Sequence, residues 1–308
     1  MLIEDYADEI QKCSKCGLCQ AVCPVYKVTG NDCAVRRGRL VMLDGVLKGD
    51  LKFNKTIKKY LDMCLNCGKC TDVCPSGGKC MGGEQMYRGG ATAPHQKTDK
   101  VLYFSGCFNR FLHKHPLKKL IDIEDPGFGC CGLPYRADVK RFKKSVERNR
   151  AIAGDRLVIT DCASCAYMLK KYGINAVNAV EYLVDNKETL KQVQGDRKKV
   201  TFHKPCHMKN IDFLKPLLKN VEYIEMNDFD ACCGFGGEFA LKHNKISRAI
   251  SRQKAENILA TGADIVLTAC PGCVIGLHQG FLGRKAPKIM NILEFISQNR
   301  ICALAGNE

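Results

Sequence analysis

Tryptophan is absent from this 308-residue chain, and only 7% of its residues are aromatic. With no aromatics interleaved among the basic residues, the stacking surface that single-stranded nucleic acid uses is missing, and nucleic acid is excluded as the expected partner. No apolar run approaches the roughly 18 residues needed to cross a bilayer. The opening stretch MLIEDYADEI is acidic and carries no apolar core of the secretory kind. A cytoplasmic, reducing setting is therefore expected, with the chain either free or peripheral on the inner face of the cell membrane. No Gly-x-Gly-x-x-Gly follows a strand-like run, so a flavin or nicotinamide would have to sit on another chain. Gly234-Phe-Gly-Gly237 resembles that fingerprint only superficially, because a cysteine doublet stands before it. Acidic residues are also scarce, at 32 against 48 Lys and Arg, a net charge of +16. The basic residues are scattered, as over 140–150, and read as a solvated face or as docking ground for an acidic partner or anionic membrane.

Cysteine is present in excess, at 21 residues. In a reducing compartment these are thiols available to metal rather than disulfides. They fall into two internal repeats. The first is Cys13, Cys16, Cys19 and Cys23 followed by Pro24, then Cys64, Cys67, Cys70 and Cys74 followed by Pro75. The second is Cys107, Cys130, Cys131, Cys162 and Cys165, then Cys206, Cys232, Cys233, Cys270 and Cys273. Each copy of the second consists of a lone Cys, a Cys-Cys-Gly and a Cys-x-x-Cys. Cys33, Cys80 and Cys302 fit neither; the first two read as buried thiols, the last as incidental.

Two copies of C-x2-C-x2-C-x3-C-P specify two [4Fe–4S] clusters, because two-residue gaps let three sulfurs of a tight loop converge on one inorganic core. Zinc would need two pairs and leaves the third cysteine and the Cys-Pro unexplained. In two-cluster ferredoxins the fourth cysteine ligates the other cluster. Cys13, Cys16, Cys19 and Cys74 are therefore expected to hold the first cluster, and Cys64, Cys67, Cys70 and Cys23 the second. Gly17 and Gly68 let backbone amides approach the cluster sulfur. In the second half, five cysteines per repeat exceed the four a cubane takes. Either one is spare, or the centre is unusual, or a thiol performs chemistry. Cys107, Cys130, Cys131, Cys162 and Cys165 are candidates for a third cluster, and Cys206, Cys232, Cys233, Cys270 and Cys273 for a fourth. Catalytic residues are not assignable at this level.

The pattern predicts helices over 3–12, 36–48 and 55–62, then a Gly-rich linker over 76–97. Strands follow at 101–104, 157–160, 200–202, 221–224 and 265–268, alternating with helices over 139–153, 165–172, 246–260 and 289–297. The fold class is α+β and multidomain: a helical two-cluster ferredoxin-like domain (1–95), then two α/β Cys-Cys-Gly units (96–195 and 196–308), split near 192–199.

Two ferredoxin motifs followed by two Cys-Cys-Gly repeats resemble the iron–sulfur subunits of glycolate oxidase, lactate utilisation and anaerobic glycerol-3-phosphate dehydrogenase. Related repeats occur in heterodisulfide reductases and thiol:fumarate reductase. The resemblance is carried by Arg37-Gly-Arg39, Cys74-Pro-Ser-Gly77, His203-Lys-Pro-Cys206-His207 and Cys232-Cys-Gly-Phe-Gly-Gly237. It implies a relay from an FAD-containing dehydrogenase subunit toward a quinone or membrane anchor, with no cofactor beyond the clusters. The alternative it implies is a heterodisulfide-reductase-like subunit that reduces a disulfide at Cys-Cys-Gly clusters; a scaffold or redox sensor is the remaining class. The gaps from Cys107 to Cys130 and from Cys206 to Cys232, 22 and 25 residues, are shorter than in that family and imply trimmed units. His203 and His207, flanking Cys206, are expected in structural or outer-shell roles. Arg36, Arg37 and Arg39 read equally as charges that raise cluster potentials and as anchors between domains. Glu238 reads as a helix-end residue.

Overall fold

Closely spaced cysteines leave little chain for long regular elements, and residues 3–77 accordingly form short helices. After a 3-10 turn at Ile3–Tyr6 come α1 (Ala7–Gln11), α2 (Leu18–Val22), α3 (Pro24–Thr29), α4 (Arg36–Leu47), α5 (Lys55–Asp62) and α6 (Lys69–Asp72). Pro24 opens α3, where its fixed φ and missing N–H cost nothing. Asn54 starts α5 by accepting from the backbone N–H groups of Thr56 and Ile57. The computed structural model describes residues 3–77, 101–112, 115–135, 138–185, 198–218 and 221–304. Both expected domain boundaries, most of the expected 76–97 linker, and Cys80 lie outside these residues.

The apolar runs become parallel strands. The first sheet has order β1 (Leu102–Tyr103), β2 (Val158–Thr160), β3 (Ala176–Asn178). With it go α7 (Gly106–Leu112), α8 (Val139–Ala153), α9 (Ala163–Lys171) and α10 (Ala179–Asp185). The second half contributes β4 (Lys199–Phe202), α11 (Leu214–Leu217), β5 (Glu222–Tyr223), α12 (Glu238–Lys242), α13 (Asn244–Leu259), β6 (Ile265–Thr268), α14 (Pro271–Gly280), β7 (Lys288–Asn291) and α15 (Ile292–Leu304). Its sheet has order β5-β4-β6-β7, also parallel throughout. β4-β6-β7 repeats β1-β2-β3, while β5 has only an isolated bridge, Leu102 to Glu124, as its counterpart. Every residue of β2 and β6 is buried, as strands covered on both faces require.

One expectation fails. The stretch 289–297 is not a single helix: it is strand through Asn291 and helix only from Ile292. A short unbroken apolar run carries no period that separates the two, and pairing with β6 decides it. The strand β3 has the same origin.

One hydrophobic core runs without interruption from Leu102 to Ile296 through both sheets. Among the described residues the helical half packs chiefly on the second repeat. Val25, Ala34 and Leu65 pack with Cys232, Phe239 and Ile250, and α3 lies on α13. Lys69 pairs with Asp230 at 2.9 Å, and Lys209 with Asp72 at 2.6 Å, across the same junction.

Candidate metal centres

Cys13, Cys16, Cys19 and Cys74 line one cavity, together with Cys70, Arg36 and Arg37. Gly17 and Gly68, at φ +84° and +79°, cap α2 and α6 in the same left-handed conformation, so the two cysteine loops are local copies. Arg36, only 6% exposed, donates to the Cys70 carbonyl, and Arg37 pairs with Asp32 at 3.2 Å. Two guanidinium groups thus stand at the wall of a thiol-lined cavity. Cys23, Cys64 and Cys67 form the second gathering. Burial pushes the Cys67 thiol up, and the neighbouring Cys232, Cys64 and Cys23 add to it. Cys33, expected buried, is half-exposed, because its turn lies at the surface of the helical half.

In each repeat the Cys-x-x-Cys begins as a strand ends. Cys162 is the N-cap of α9 after β2, and Cys270 that of α14 after β6. Helix N-termini stabilise negative charge, which suits thiolates. The doublets are fixed by their carbonyl and amide groups. Gly132 N–H donates to Cys130 Sγ at 3.5 Å and Gly234 N–H to Cys232 Sγ at 3.4 Å. Tyr172 Oη donates to the Cys131 carbonyl, Asn149 Nδ2 to that of Cys130, and Ser251 Oγ to that of Cys233.

The thiols form one succession, buried through its middle and exposed at Cys107. Cys107 meets Cys130, and Cys131 meets Cys130 and Cys165. Cys165 meets Cys162, which lies 3.7 Å from Cys270 of the other repeat. Cys270 meets Cys273, Cys273 meets Cys233, and Cys233 meets Cys232. Cys232 meets Cys206, and Cys206 feels Cys67 of the helical half. Hydrogen bonds from Cys130 and Cys165 hold Cys131 well below the usual thiol range, and those from Cys206 and Cys233 do the same for Cys232. Cys165, Cys206, Cys233 and Cys273 are pushed up, first by donating to a neighbouring thiol and then by burial. So many buried thiols cannot all ionise against one another. Bound metal cations remove that penalty, so the donor set fits metal centres and little else.

Three side chains whose roles were not legible in the sequence hold this arrangement. Asn178 Nδ2 donates to the Ala269 carbonyl at 3.5 Å, and Asn291 Nδ2 donates to the Asp161 carbonyl at 3.2 Å. Each ends its own repeat's last strand and steadies the residue preceding the other repeat's Cys-x-x-Cys. The only signal was a shared Asn-x-x-Glu, 178–181 and 291–294. Asn291→Ala strands the buried Asp161 carbonyl and is expected to cost about 1–3 kcal/mol, read from the urea midpoint. The third is Asp161, 1% exposed, which accepts from Tyr103 Oη at 2.9 Å and from Asn109 Nδ2. Burial pushes its carboxyl up to about 7, and its hydrogen bonds offset only part of that. A folded-state value above the unfolded one means stability is fullest below pH 4 and is lost as pH rises toward 7. Asp161→Asn, which cannot ionise but offers one acceptor oxygen where the carboxylate uses two, is expected to flatten this slope. Urea unfolding at pH 5 and 7.5 checks it, and an unchanged slope would refute it.

His207 and His203 differ in role. The Asn66 carbonyl can only accept, so His207 Nε2 carries the proton of their 2.7 Å bond, and Ser164 Oγ donates to Nδ1 at 2.9 Å. Tyr167 stacks on the ring at 4.6 Å. His207 thereby joins the helical half's second cysteine loop to both repeats. His203 instead lies with Cys233 and Cys273, all three ligand atoms within 4.8 Å of one another and buried. Glu238 opens α12 and pairs with Lys242 at 2.9 Å.

Among the described residues no helix is long and apolar enough to cross a membrane. Residues 9–78 match the family described as 4Fe-4S dicluster domain, and residues 101–170 and 200–278 match the cysteine-rich domain. The chain is 27% identical to a subunit of the fumarate reductase (CoM/CoB) of Methanothermobacter marburgensis, over 95% of this chain and 73% of that protein. It is 24% identical to the glycolate oxidase iron-sulfur subunit of Escherichia coli, over 95% of each. It is 21% identical to a subunit of the dihydromethanophenazine:CoB–CoM heterodisulfide reductase of Methanosarcina mazei, over 94% of each.

Proposed function

We propose that this chain, a 4Fe–4S dicluster domain followed by two cysteine-rich domains, is the electron-transfer subunit of an oxidoreductase complex. Its partner would be an FAD-containing dehydrogenase of 2-hydroxy acids or glycerol 3-phosphate, and its acceptor a quinone. The observation carrying this reading is the unbroken succession of thiols from Cys67, through Cys206 and Cys232, to Cys270 and Cys162. The ligand sets that go with it are Cys13, Cys16, Cys19 and Cys74, then Cys64, Cys67, Cys70 and Cys23, with the five cysteines of each repeat beyond. The domain limits are 1–95, 96–195 and 196–308.

Bound clusters would supply one-electron steps; the chain's own part is to hold sulfur in place and keep water out. Burial of Cys131, Cys162, Cys165, Cys232, Cys233, Cys270 and Cys273 does the latter. Because the helical half abuts the second repeat, that repeat stands between it and the first.

Anaerobic isolation of the complex from its source tests the proposal. A co-purifying flavoprotein is expected, with glycolate, lactate or glycerol 3-phosphate bleaching both flavin and cluster absorbance. A second reading, reduction of a disulfide at the Cys-Cys-Gly thiols, is favoured by one observation: Cys107, at the far end of the succession, is exposed. Isolation without a flavoprotein, with reduced clusters reoxidised by an added disulfide, would replace the first reading by the second.

A further inference from the structure

The two repeats correspond in register but differ beside their thiols. Three residues before the lone cysteine, the first repeat has Phe104 and the second His203. Phe104 N–H donates to the Ile159 carbonyl and His203 N–H to that of Leu267, both at 2.9 Å, and each acceptor lies three residues before a Cys-x-x-Cys. The two side chains are therefore structural equivalents. We propose that His203 gives an imidazole nitrogen ligand to the metal centre of the second repeat, making it a mixed thiolate–imidazole centre, whereas the first is held by thiolates alone. The inference rests on the reading of the second repeat as a metal centre and on nothing about partners.

Three observations carry it. Among the described residues, His203, Cys233 and Cys273 alone bring at least three ligand atoms of this kind within 4.8 Å of one another. His203 is 1% exposed, and neither ring nitrogen has a hydrogen-bond partner. A buried imidazole must carry one N–H and one lone pair, and leaving both unmet is costly unless something absent from the bare chain takes the lone pair. Phe104 shows the position accepts an apolar ring, so no packing demand explains a histidine there; Phe104 packs on Phe128 at 5.2 Å. Iron accepts both thiolate and imidazole. A neutral imidazole that takes a ligand position in place of one of the five thiolates raises a cluster's potential, as where histidine replaces cysteine in Rieske centres.

The test uses the full chain, isolated or reconstituted anaerobically with iron and sulfide, native and labelled with 15N-histidine. Iron clearly above about eight atoms per chain establishes that the Cys-Cys-Gly half is loaded. Pulsed electron paramagnetic resonance is then expected to show a strong 14N hyperfine coupling. It should convert to a 15N pattern on histidine labelling and vanish in His203→Phe, which copies the first repeat. The midpoint potential of one centre should shift in that variant while the others hold. If the variant does not assemble, the labelling contrast in the native chain still decides. A loaded second half without histidine-dependent coupling overturns the inference and leaves the electron-transfer reading intact. Iron confined to the dicluster half overturns both.

Discussion

Replacing Cys67 by alanine is expected to remove about four iron atoms per chain and to loosen the second repeat with them. The first effect follows from the spacing of Cys64, Cys67, Cys70 and Cys23. The second follows from packing. Cys67 lies against the core patch that contains Leu65, Cys232 and Phe239, and its sulfur neighbours Cys206 and Cys232. Binding free energy at a structural metal is folding free energy, on the order of several kcal/mol, because the ligand geometry does not pre-exist in the unfolded chain. Losing it here removes the platform on which α13 and the second doublet rest. Cys16→Ala is the contrast. Cys16 is exposed, and among the described residues its cavity is lined by the helical half alone, so that variant should lose a similar amount of iron yet keep the second repeat's stability. Iron per chain, visible absorbance and urea unfolding by circular dichroism separate the two. Equal stability in both variants would show that the helical half is only tethered to the second repeat.

Gly234→Ala should be strongly damaging to the second repeat. Gly234 has φ +81°, and an added Cβ would lie 2.7 Å from the Ser247 carbonyl oxygen and Ser251 Oγ. The left-handed backbone costs a side chain about 1–2 kcal/mol, and overpacking against helix backbone adds about 1–3 kcal/mol. Neither neighbour can step aside freely: Ser247 Oγ donates to the Gly234 carbonyl, and Ser251 Oγ to that of Cys233. Relief must therefore come from moving the Cys232–Cys233 doublet. The expected outcome is a loss of about 2–5 kcal/mol in stability, with reduced iron in the second half. Gly49→Ala, at φ +79° with nothing within 4 Å of the added Cβ, should show only the backbone share and keep full iron. If both variants lose the same stability and no iron, the crowding at Gly234 has no consequence for the doublet.

The legible features share one property: their physics is local. Two-residue cysteine gaps, glycines in the loops and Pro24 at a helix start act within a few residues, so the dicluster motif, the strands β1, β2, β4, β5 and β6 and helices such as α4, α8 and α13 follow from the order of residues alone. The features that were not legible depend on partners far along the chain. The Lys288–Asn291 strand and the Ala176–Asn178 strand exist because β6 and β2 stand ready to pair with them. Asn178 and Asn291 matter only because each meets a carbonyl of the other repeat.

Residue order is enough to specify two cubane-type cysteine sets and two five-cysteine repeats, because ligand spacing within a loop is a short-range constraint. How those sets are joined is settled by packing. The fold set Cys162 3.7 Å from Cys270, 108 positions away. It seated the helical half on the second repeat, and it left His203 among thiols while His207 became a strut. Those outcomes come from merging two sheets into one core, which no spacing along the chain encodes.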